Sequence, residues 1–460
     1  MTTQETLVRQ AVHRGLDAAH VVVVGASNRP SNAGQSYVRA FRAARFPGRL
    51  SVVNRAAEAV RGAQGYASIA DLPSAPDLAV LALPAEHVPA AVTELGRIGA
   101  GLVHCFSGGF AERGGAEVAR QENLASLAAE AGVALLGPNC MGVYRPRAGL
   151  AFRPDLPMRD GNIAVVSQSG GVTIAALHQL DARGLGISTA VSYGNGAALA
   201  GARLAEMVVE ADAPTALGVY VEDANEPDFL PALAQLAQRT RVVLCVGPRV
   251  ARAHLAAQRH TGLTGGSWPA FADIPEEVTL VGRVDDFVGA LGWLSERTQR
   301  RPRTALVTIS GGVGVLAVSE LEESGVRLCQ PSVQTRRTIE ALSPGGLIVA
   351  DNPVDLGVSY LSRKVVSRTL EALRRDPEVE LTMFHLVWDH LVEVDRASPG
   401  YADGFLSLLI QHAQRGDDLT VLFPRMTDDD SEREARRTLR QAGVQVVDSV
   451  GEVAAALAAP

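Results

Sequence analysis

Short apolar runs recur along the chain, and hydrophobic positions at helical spacing fill the stretches between them. Val21-Val22-Val23-Val24 is the first such run. Four consecutive β-branched residues suit a strand buried on both faces, as in a parallel sheet. A short amphipathic helix over residues 3–18 precedes it, and a helix over 35–45 follows Gly34. Residues 50–54, 78–84 and 101–106 then read as strands, with helices at 88–98 and 116–131. This alternation predicts a doubly wound parallel sheet over residues 1–150.

After a connection rich in proline and arginine, Asn162-Ile163-Ala164-Val165-Val166 starts a second series. It ends in Ser167-Gln168-Ser169-Gly170-Gly171, and a helix is predicted over 172–183. Further strands fall at 188–192, 216–221 and 242–246. Beyond Arg300-Arg301-Pro302-Arg303, a linker, Ala305-Leu306-Val307-Thr308-Ile309-Ser310-Gly311-Gly312-Val313 echoes Ala164–Val172 at a constant offset of 141 residues, and Gly325 repeats Gly184. Two copies of one βα start predict two domains of the same kind. The third domain continues through Asn352-Pro353-Val354-Asp355-Leu356, a strand at 381–387, and residues 420–423 before a final helix. Asp355, His385 and Asp389 read there as structural or interface residues.

The length of 460 residues fits three domains, at 1–150, 151–300 and 301–460. A 47% hydrophobic and 20% charged composition is that of a folded globular protein. The net charge of −7 contains no block of like charge suited to nucleic acid. Cys105, Cys140, Cys245 and Cys329 are scattered, with no CxxC pair, so neither a disulfide framework nor a zinc site is indicated. The first residues lack a secretory pattern, and no apolar run approaches a membrane span. The expectation is a soluble, cytoplasmic protein that binds no nucleic acid, membrane or metal.

Candidate chemistry sits where strands end, since doubly wound sheets bind ligands at their carboxyl edge. In the first domain these loops are 25–30, 54–55, 84–85, 107–110 and 137–142. The turn from Gly25 places backbone N–H groups at a helix start, which suits a nucleotide-type ligand, although Gly25-Ala26-Ser27 is no dinucleotide fingerprint. Ser169-Gly170-Gly171, at a strand-to-helix turn, can cradle an anion. Glu222 follows the apolar run 217–221 and so sits at a strand's carboxyl end, where a carboxylate can fix a histidine tautomer. His260 lies in Gln258-Arg259-His260-Thr261-Gly262-Leu263-Thr264-Gly265-Gly266. Neutral imidazole is nucleophilic, and a loop of small residues can carry it between two places.

Several short motifs occur in a telling order: Val-Gly-Ala-Ser-Asn-Arg-Pro at 24–30, Gly-Gly-Phe-Ala-Glu at 108–112 and Gly-Pro-Asn-Cys-Met-Gly at 137–142. Val-Ser-Gln-Ser-Gly-Gly at 166–171, Ser-Tyr-Gly-Asn at 192–195, Tyr-Val-Glu at 220–222, His-Thr-Gly at 260–262 and Asn-Pro-Val-Asp at 352–355 follow. Together they resemble the α subunit of NDP-forming acyl-CoA synthetases, the superfamily of ADP-forming acetate–CoA ligase and succinyl-CoA synthetase. The resemblance implies a Rossmann-like CoA-binding domain followed by two flavodoxin-like domains. It implies reversible synthesis of acyl-CoA from a small carboxylic acid, coenzyme A and ATP, through phosphohistidine and acyl phosphate. By this likeness His260 is phosphorylated, Glu222 holds its imidazole, and Ser169, Gly170 and Gly171 receive the phosphoryl group. Gly25, Ser27, Arg29, Asn54, Pro84 and Asn139 would line the coenzyme A site. No ATP-grasp module is visible in the sequence, so ATP/ADP and Mg²⁺ would bind a separate β subunit, in a hetero-oligomer. The chain departs from the family where Val246-Gly247-Pro248-Arg249 replaces a Lys-x-Gly-Arg run, and where Arg259 replaces the serine before the histidine. Two alternatives stay open: an ATP-independent, CoA-dependent acyl or carbamoyl transferase, and a non-catalytic CoA-binding subunit.

Overall fold

The structure, a computed structural model, describes residues 3–222, 228–247, 274–296, 302–309, 311–343, 348–416, 418–424 and 429–458. The chain divides into two compact units, Met1–Phe287 and Val288–Pro460.

The first unit holds two sheets. In the first, β1 (His20–Val24), β2 (Arg49–Val53), β3 (Gln64–Tyr66), β4 (Leu78–Leu81), β5 (Leu102–Cys105) and β6 (Ala134–Leu136) are ordered β3-β2-β1-β4-β5-β6. Every pairing in it is parallel. Residues Val21–Val23 are fully buried, as four valines in a row require of a central strand covered by helices on both faces. β4 ends at Leu81, short of the predicted residue 84. The Ser107 hydroxyl draws the backbone out of the ladder there, accepting from the Leu83 N–H at 3.2 Å and donating to the Leu83 carbonyl at 2.6 Å. The strand order reverses between β1 and β4, so the loops leaving these two strands part and open a crevice.

The second sheet contains β7 (Gly142–Tyr144), β8 (Ile163–Ser167), β9 (Ile187–Ser192), β10 (Ala216–Val221), β11 (Arg241–Val246) and β12 (Val278–Val281), in the order β12-β11-β10-β8-β9-β7. The edge strand β7 is antiparallel to β9, with Gly142 opposite Ser192 and Tyr144 opposite Ala190. The chain therefore leaves the carboxyl edge of the first sheet and enters the second sheet at its carboxyl edge. The two edges that carry ligand-binding loops are turned toward one another.

Charged clamps join the two sheets' layers elsewhere in this unit. Arg145 is buried, with its guanidinium 2.5 Å from Asp212, 3.0 Å from Asp17 and in contact with Thr189. Arg147 also reaches Asp212. Arg9, on the helix Thr3–Leu16, pairs with Glu206 and Glu210 on the helix Gly201–Asp212.

The second unit carries β13 (Thr304–Thr308), β14 (Val354–Asp355), β15 (Leu381–His385), β16 (Leu419–Leu422) and β17 (Gln445–Val447), ordered β14-β13-β15-β16-β17. Without its antiparallel edge, the second sheet has the same order. The internal repeat holds residue for residue: β13 lies 141 positions after β8, and the helix Gly311–Glu323 lies 141 after Gly170–Ala182. Gly184 and Gly325, which stop the two helices, both have φ of +79°, where glycine carries no side-chain penalty. The expected class, three doubly wound parallel-sheet domains of Rossmann-like and flavodoxin-like kind, is the fold observed. In the third domain His385 is buried with its ring 3.3 Å from the Thr308 hydroxyl, Asp355 accepts from the Gly357 N–H, and Asp389 is exposed.

Candidate active site

The crevice at the β1/β4 switch point is a cleft of about 890 Å³. Gly25, Ser27, Arg29, Asn54 and Pro84, five of the six residues expected around coenzyme A, line it together. Gly25 has φ +92°, and a Cβ on it would collide with the Ala82 carbonyl oxygen. Only glycine lets the turn pass so close to the neighbouring strand. Asn32 then closes the turn. Its Oδ1 accepts from Ser27 N–H and Gln35 N–H, and its amide donates to the Gly25 carbonyl. This cap starts the helix Ala33–Ala43 at the cleft wall, so the positive end of the helix faces the cleft. Arg29 and Arg55 add cationic groups, and His87 an imidazole, against the single carboxylate of Glu58. A cleft of this kind suits a phosphorylated, nucleotide-like ligand. Asn54 uses its side chain locally, bonding both the N–H and the carbonyl of Glu58.

Asn139, the sixth expected residue, lies away from this cleft, on the segment between β6 and β7. His104 supports the segment from below. It is fully buried, its Nε2–H donates to the Cys140 carbonyl at 3.0 Å, and Gly142 leaves its ring room. Burial pushes the His104 pKa down to about 4, against the hydrogen bond to Cys140, so the ring is neutral. Tyr37 donates its hydroxyl to the Met141 carbonyl at 2.9 Å. Burial also pushes the Cys105 thiol up to about 12 and the Cys140 thiol well above its ordinary value, so neither is a nucleophile near neutral pH.

Across from Asn139 stand the loops of the second sheet. Ser169 caps the helix Gly170–Ala182, its Oγ accepting from Val172 N–H at 3.4 Å. The N–H groups of Gly170 and Gly171 belong to the first helical turn and have no intrahelical acceptor. A Cβ on Gly170 would lie 2.5 Å from Met141 Cγ, which puts the Asn139 segment directly against this turn. Glu222 sits at the carboxyl end of β10, as its place after the apolar run predicts. Its N–H donates to Gln168 Oε1 at 2.8 Å, which ties it to the turn one strand over. Burial, then the negative charge of Glu222, raise the pKa of Tyr220. His260 and its loop, 258–266, lie outside the described residues.

A polar cluster that the separate motifs did not announce joins the two edges. Glu112 accepts from the N–H groups of Gly109 and Phe110 and from Asn195 Nδ2, the last at 2.7 Å. Asn195 also donates to Gln121 Oε1 at 2.9 Å and accepts from Asn139 Nδ2 at 3.3 Å. Burial disfavours the Glu112 charge, but these donors outweigh it and hold the carboxyl below its ordinary pKa. Asn139 and Glu112 come from one domain and Asn195 from the next. The signal was present in Gly-Gly-Phe-Ala-Glu and Ser-Tyr-Gly-Asn, but sequence order does not say that they touch.

Residues 19–146 match the family described as CoA binding domain, and residues 160–291 match the succinyl-CoA ligase like flavodoxin domain. The chain is 25% identical over 95% of its length, and 94% of the relative's, to the α subunit of acetate–CoA ligase (ADP-forming) II of Pyrococcus furiosus. The chain belongs to the family of NDP-forming acyl-CoA synthetase α subunits. A second relative, acetate–CoA ligase (ADP-forming) I of Archaeoglobus fulgidus, is 31% identical over 79% of this chain, which spans 53% of that protein. The fold is also that of a dinucleotide-forming acetyl-coenzyme A synthetase 1 from Ca. Korarchaeum cryptofilum, solved with phosphate and ADP. The TM-score is 0.80 at 23% identity, covering 96% of this chain and 94% of that one. In this synthetase α chain the Asn139–Asn195 contact thus joins the two matched segments. Among the described residues, no helix is long and apolar enough to cross a membrane.

Proposed function

We propose that this chain is the α subunit of an ADP-forming acyl-CoA synthetase, working in the cytoplasm with a separate ATP-grasp β subunit that holds ATP and Mg²⁺. The observation that carries the proposal is the facing of two carboxyl edges: the glycine-turned cationic cleft on one, the Ser-Gly-Gly turn and Glu222 on the other. Coenzyme A is the substrate that fits the first, with Gly25, Ser27, Arg29, Asn54 and Pro84 against its nucleotide end and Asn139 nearer its thiol. A carboxylate does not acylate a thiol directly, because oxide is its leaving group. In the proposed sequence ATP phosphorylates His260, releasing ADP. The acid's carboxylate oxygen then takes the phosphoryl group, giving an acyl phosphate and free imidazole. The thiolate of coenzyme A attacks the acyl carbon, and phosphate leaves. Glu222 would hold the imidazole in one tautomer. Ser169, Gly170 and Gly171 would stabilise the phosphoryl charge by fixed N–H dipoles, where positioning and electrostatics do most of the work.

The test is incubation of the chain with labelled ATP, Mg²⁺ and its β partner. An acid-labile, base-stable label that disappears in His260→Ala is the expected result. Equal labelling of that variant removes His260 from the reaction. Acyl or carbamoyl transfer by the chain alone, without nucleotide, would instead favour a transferase on the same scaffold.

A further inference from the structure

The contacts around Glu112 fix a direction, and direction is what a ligand meets. Three backbone N–H groups anchor the cluster. Those of Gly109 and Phe110 point at Glu112 Oε1, and that of Ala111 points at Gln121 Oε1, at 3.4 Å. Both side chains therefore offer oxygen to Asn195, and Asn195 must turn its NH₂ toward them. Its own oxygen is then left for Asn139, whose NH₂ turns to it. The Asn139 oxygen is thereby turned away from Asn195. It lies 3.6 Å from the position a Cβ on Gly108 would occupy, and Glu112 Oε1 lies 3.1 Å from that same position. An amide assigned in isolation could face either way; this one is set by a chain of donors and acceptors that ends on the backbone.

A line of close neighbours leads from the cleft to the Ser-Gly-Gly turn past that oxygen. Pro84 lines the cleft. The next residue, Ala85, is 3.3 Å from the Cβ position of Gly109. Gly108 follows, then Asn139, then Met141 against Gly170. The line runs past two residues without side chains and reaches two fixed oxygens, of which Glu112 Oε1 already accepts from two backbone N–H groups and Asn139 Oδ1 is the other.

We propose that Glu112 is a positioning residue which, through Asn195, holds the Asn139 carboxamide with its oxygen presented to an amide N–H of the pantetheine arm of coenzyme A. The proposal rests on the coenzyme A reading above and names a determinant of that same site. Pantetheine carries two secondary amides, so it can donate to this oxygen as it passes Gly108 and Gly109. Glu112 touches no substrate. Its charge matters because one carboxylate accepts on both sides at once, from the turn and from Asn195, which a neutral amide cannot do.

That asymmetry gives the test. In Glu112→Gln, the one remaining oxygen stays with the Gly109 and Phe110 N–H groups, and the new NH₂ confronts the NH₂ of Asn195. Asn195 and then Asn139 turn over, and Asn139 presents a donor to a donor. Asn195→Asp instead brings two carboxylates together. The double variant, Glu112→Gln with Asn195→Asp, restores a complementary pair. In it the introduced amide donates to the introduced carboxylate, and Gln121 turns its own amide to match, giving up the 3.4 Å bond from the Ala111 N–H, the longest of the three anchors. Titration calorimetry of coenzyme A into the full-length chain is expected to show about tenfold weaker binding for each single variant, the loss of one amide-to-amide hydrogen bond. The double variant recovers to within about threefold of wild type. With the β partner, KM for coenzyme A rises in the single variants while the rate of His260 phosphorylation stays unchanged. Thermal melting of all four chains separates a folding defect, which would lower the melting temperature without rescue of affinity. Wild-type affinity in both single variants, or a double variant as weak as the singles, overturns the positioning role and leaves the coenzyme A reading intact. Absence of binding by the wild-type chain overturns both.

Discussion

Gly170 shows how a single hydrogen atom in place of a side chain sets the distance between two domains. A methyl group there would meet Met141 Cγ at 2.5 Å, and the methionine must give way or the turn must shift. Gly170→Ala is expected to cost about 1–3 kcal/mol by overpacking. It is also expected to slow phosphorylation of the chain, since the turn's N–H groups move with it. Adding Met141→Ala should return the melting temperature to near the wild-type value, and a double variant as unstable as the single one would show that the strain lies elsewhere. At this scale the sequence was readable wherever a residue's role is local. Gly25, Ser27, Arg29, Asn54 and Pro84, which the family resemblance implied for one ligand and which all follow strands of one sheet, share one cleft. Glu112 and Gln121 were not chosen, because their importance comes from Asn195, 83 and 74 positions away.

Among the elements, the long buried strands declared themselves, and the three-residue strands did not. β3, β6 and β7 are too short for any periodicity to be seen, and β3 contains a glycine whose missing Cβ leaves room for the Glu58 carbonyl. β5 carries a hidden support: His104, read only as a strand residue, holds up the segment that leads into β7. Its folded pKa is depressed from 6.5 to about 4. The neutral ring therefore contributes stability that is complete above pH 6.5. That contribution is lost as the pH falls toward 4, because the unfolded chain takes up the proton first. The span corresponds to about 3 kcal/mol. The melting temperature should fall over this window, and His104→Gln should flatten that part of the profile. An unchanged slope in the variant would assign the acid sensitivity to other groups.

At the scale of the whole molecule, the repeat at 141 residues was the most legible feature, since two copies of a βα start leave the same apolar run twice. What could not be read was which edges face each other in the first unit, because that depends on a strand of three residues running backwards. The arrangement is held at a distance from the site by Arg145, Asp212 and Asp17. Burial disfavours the Asp212 charge, but Thr189, Ser188 and Arg145 outweigh it and hold its carboxyl below the ordinary range. Arg145→Met would leave that carboxylate buried with the Thr189 and Ser188 hydroxyls and the half-exposed Arg147 to meet it. A destabilisation of about 3–5 kcal/mol is expected by denaturant melting. Arg145→Met combined with Asp212→Asn should recover most of it, and equal destabilisation in both would mean that packing of the arginine stem is what counts. The backward strand has one more effect. β6 ends at Leu136 and β7 begins at Gly142, so five residues form a tether of fixed reach between the halves. An insertion there would let the halves drift apart. Length variation among natural relatives should therefore be purged from this tether.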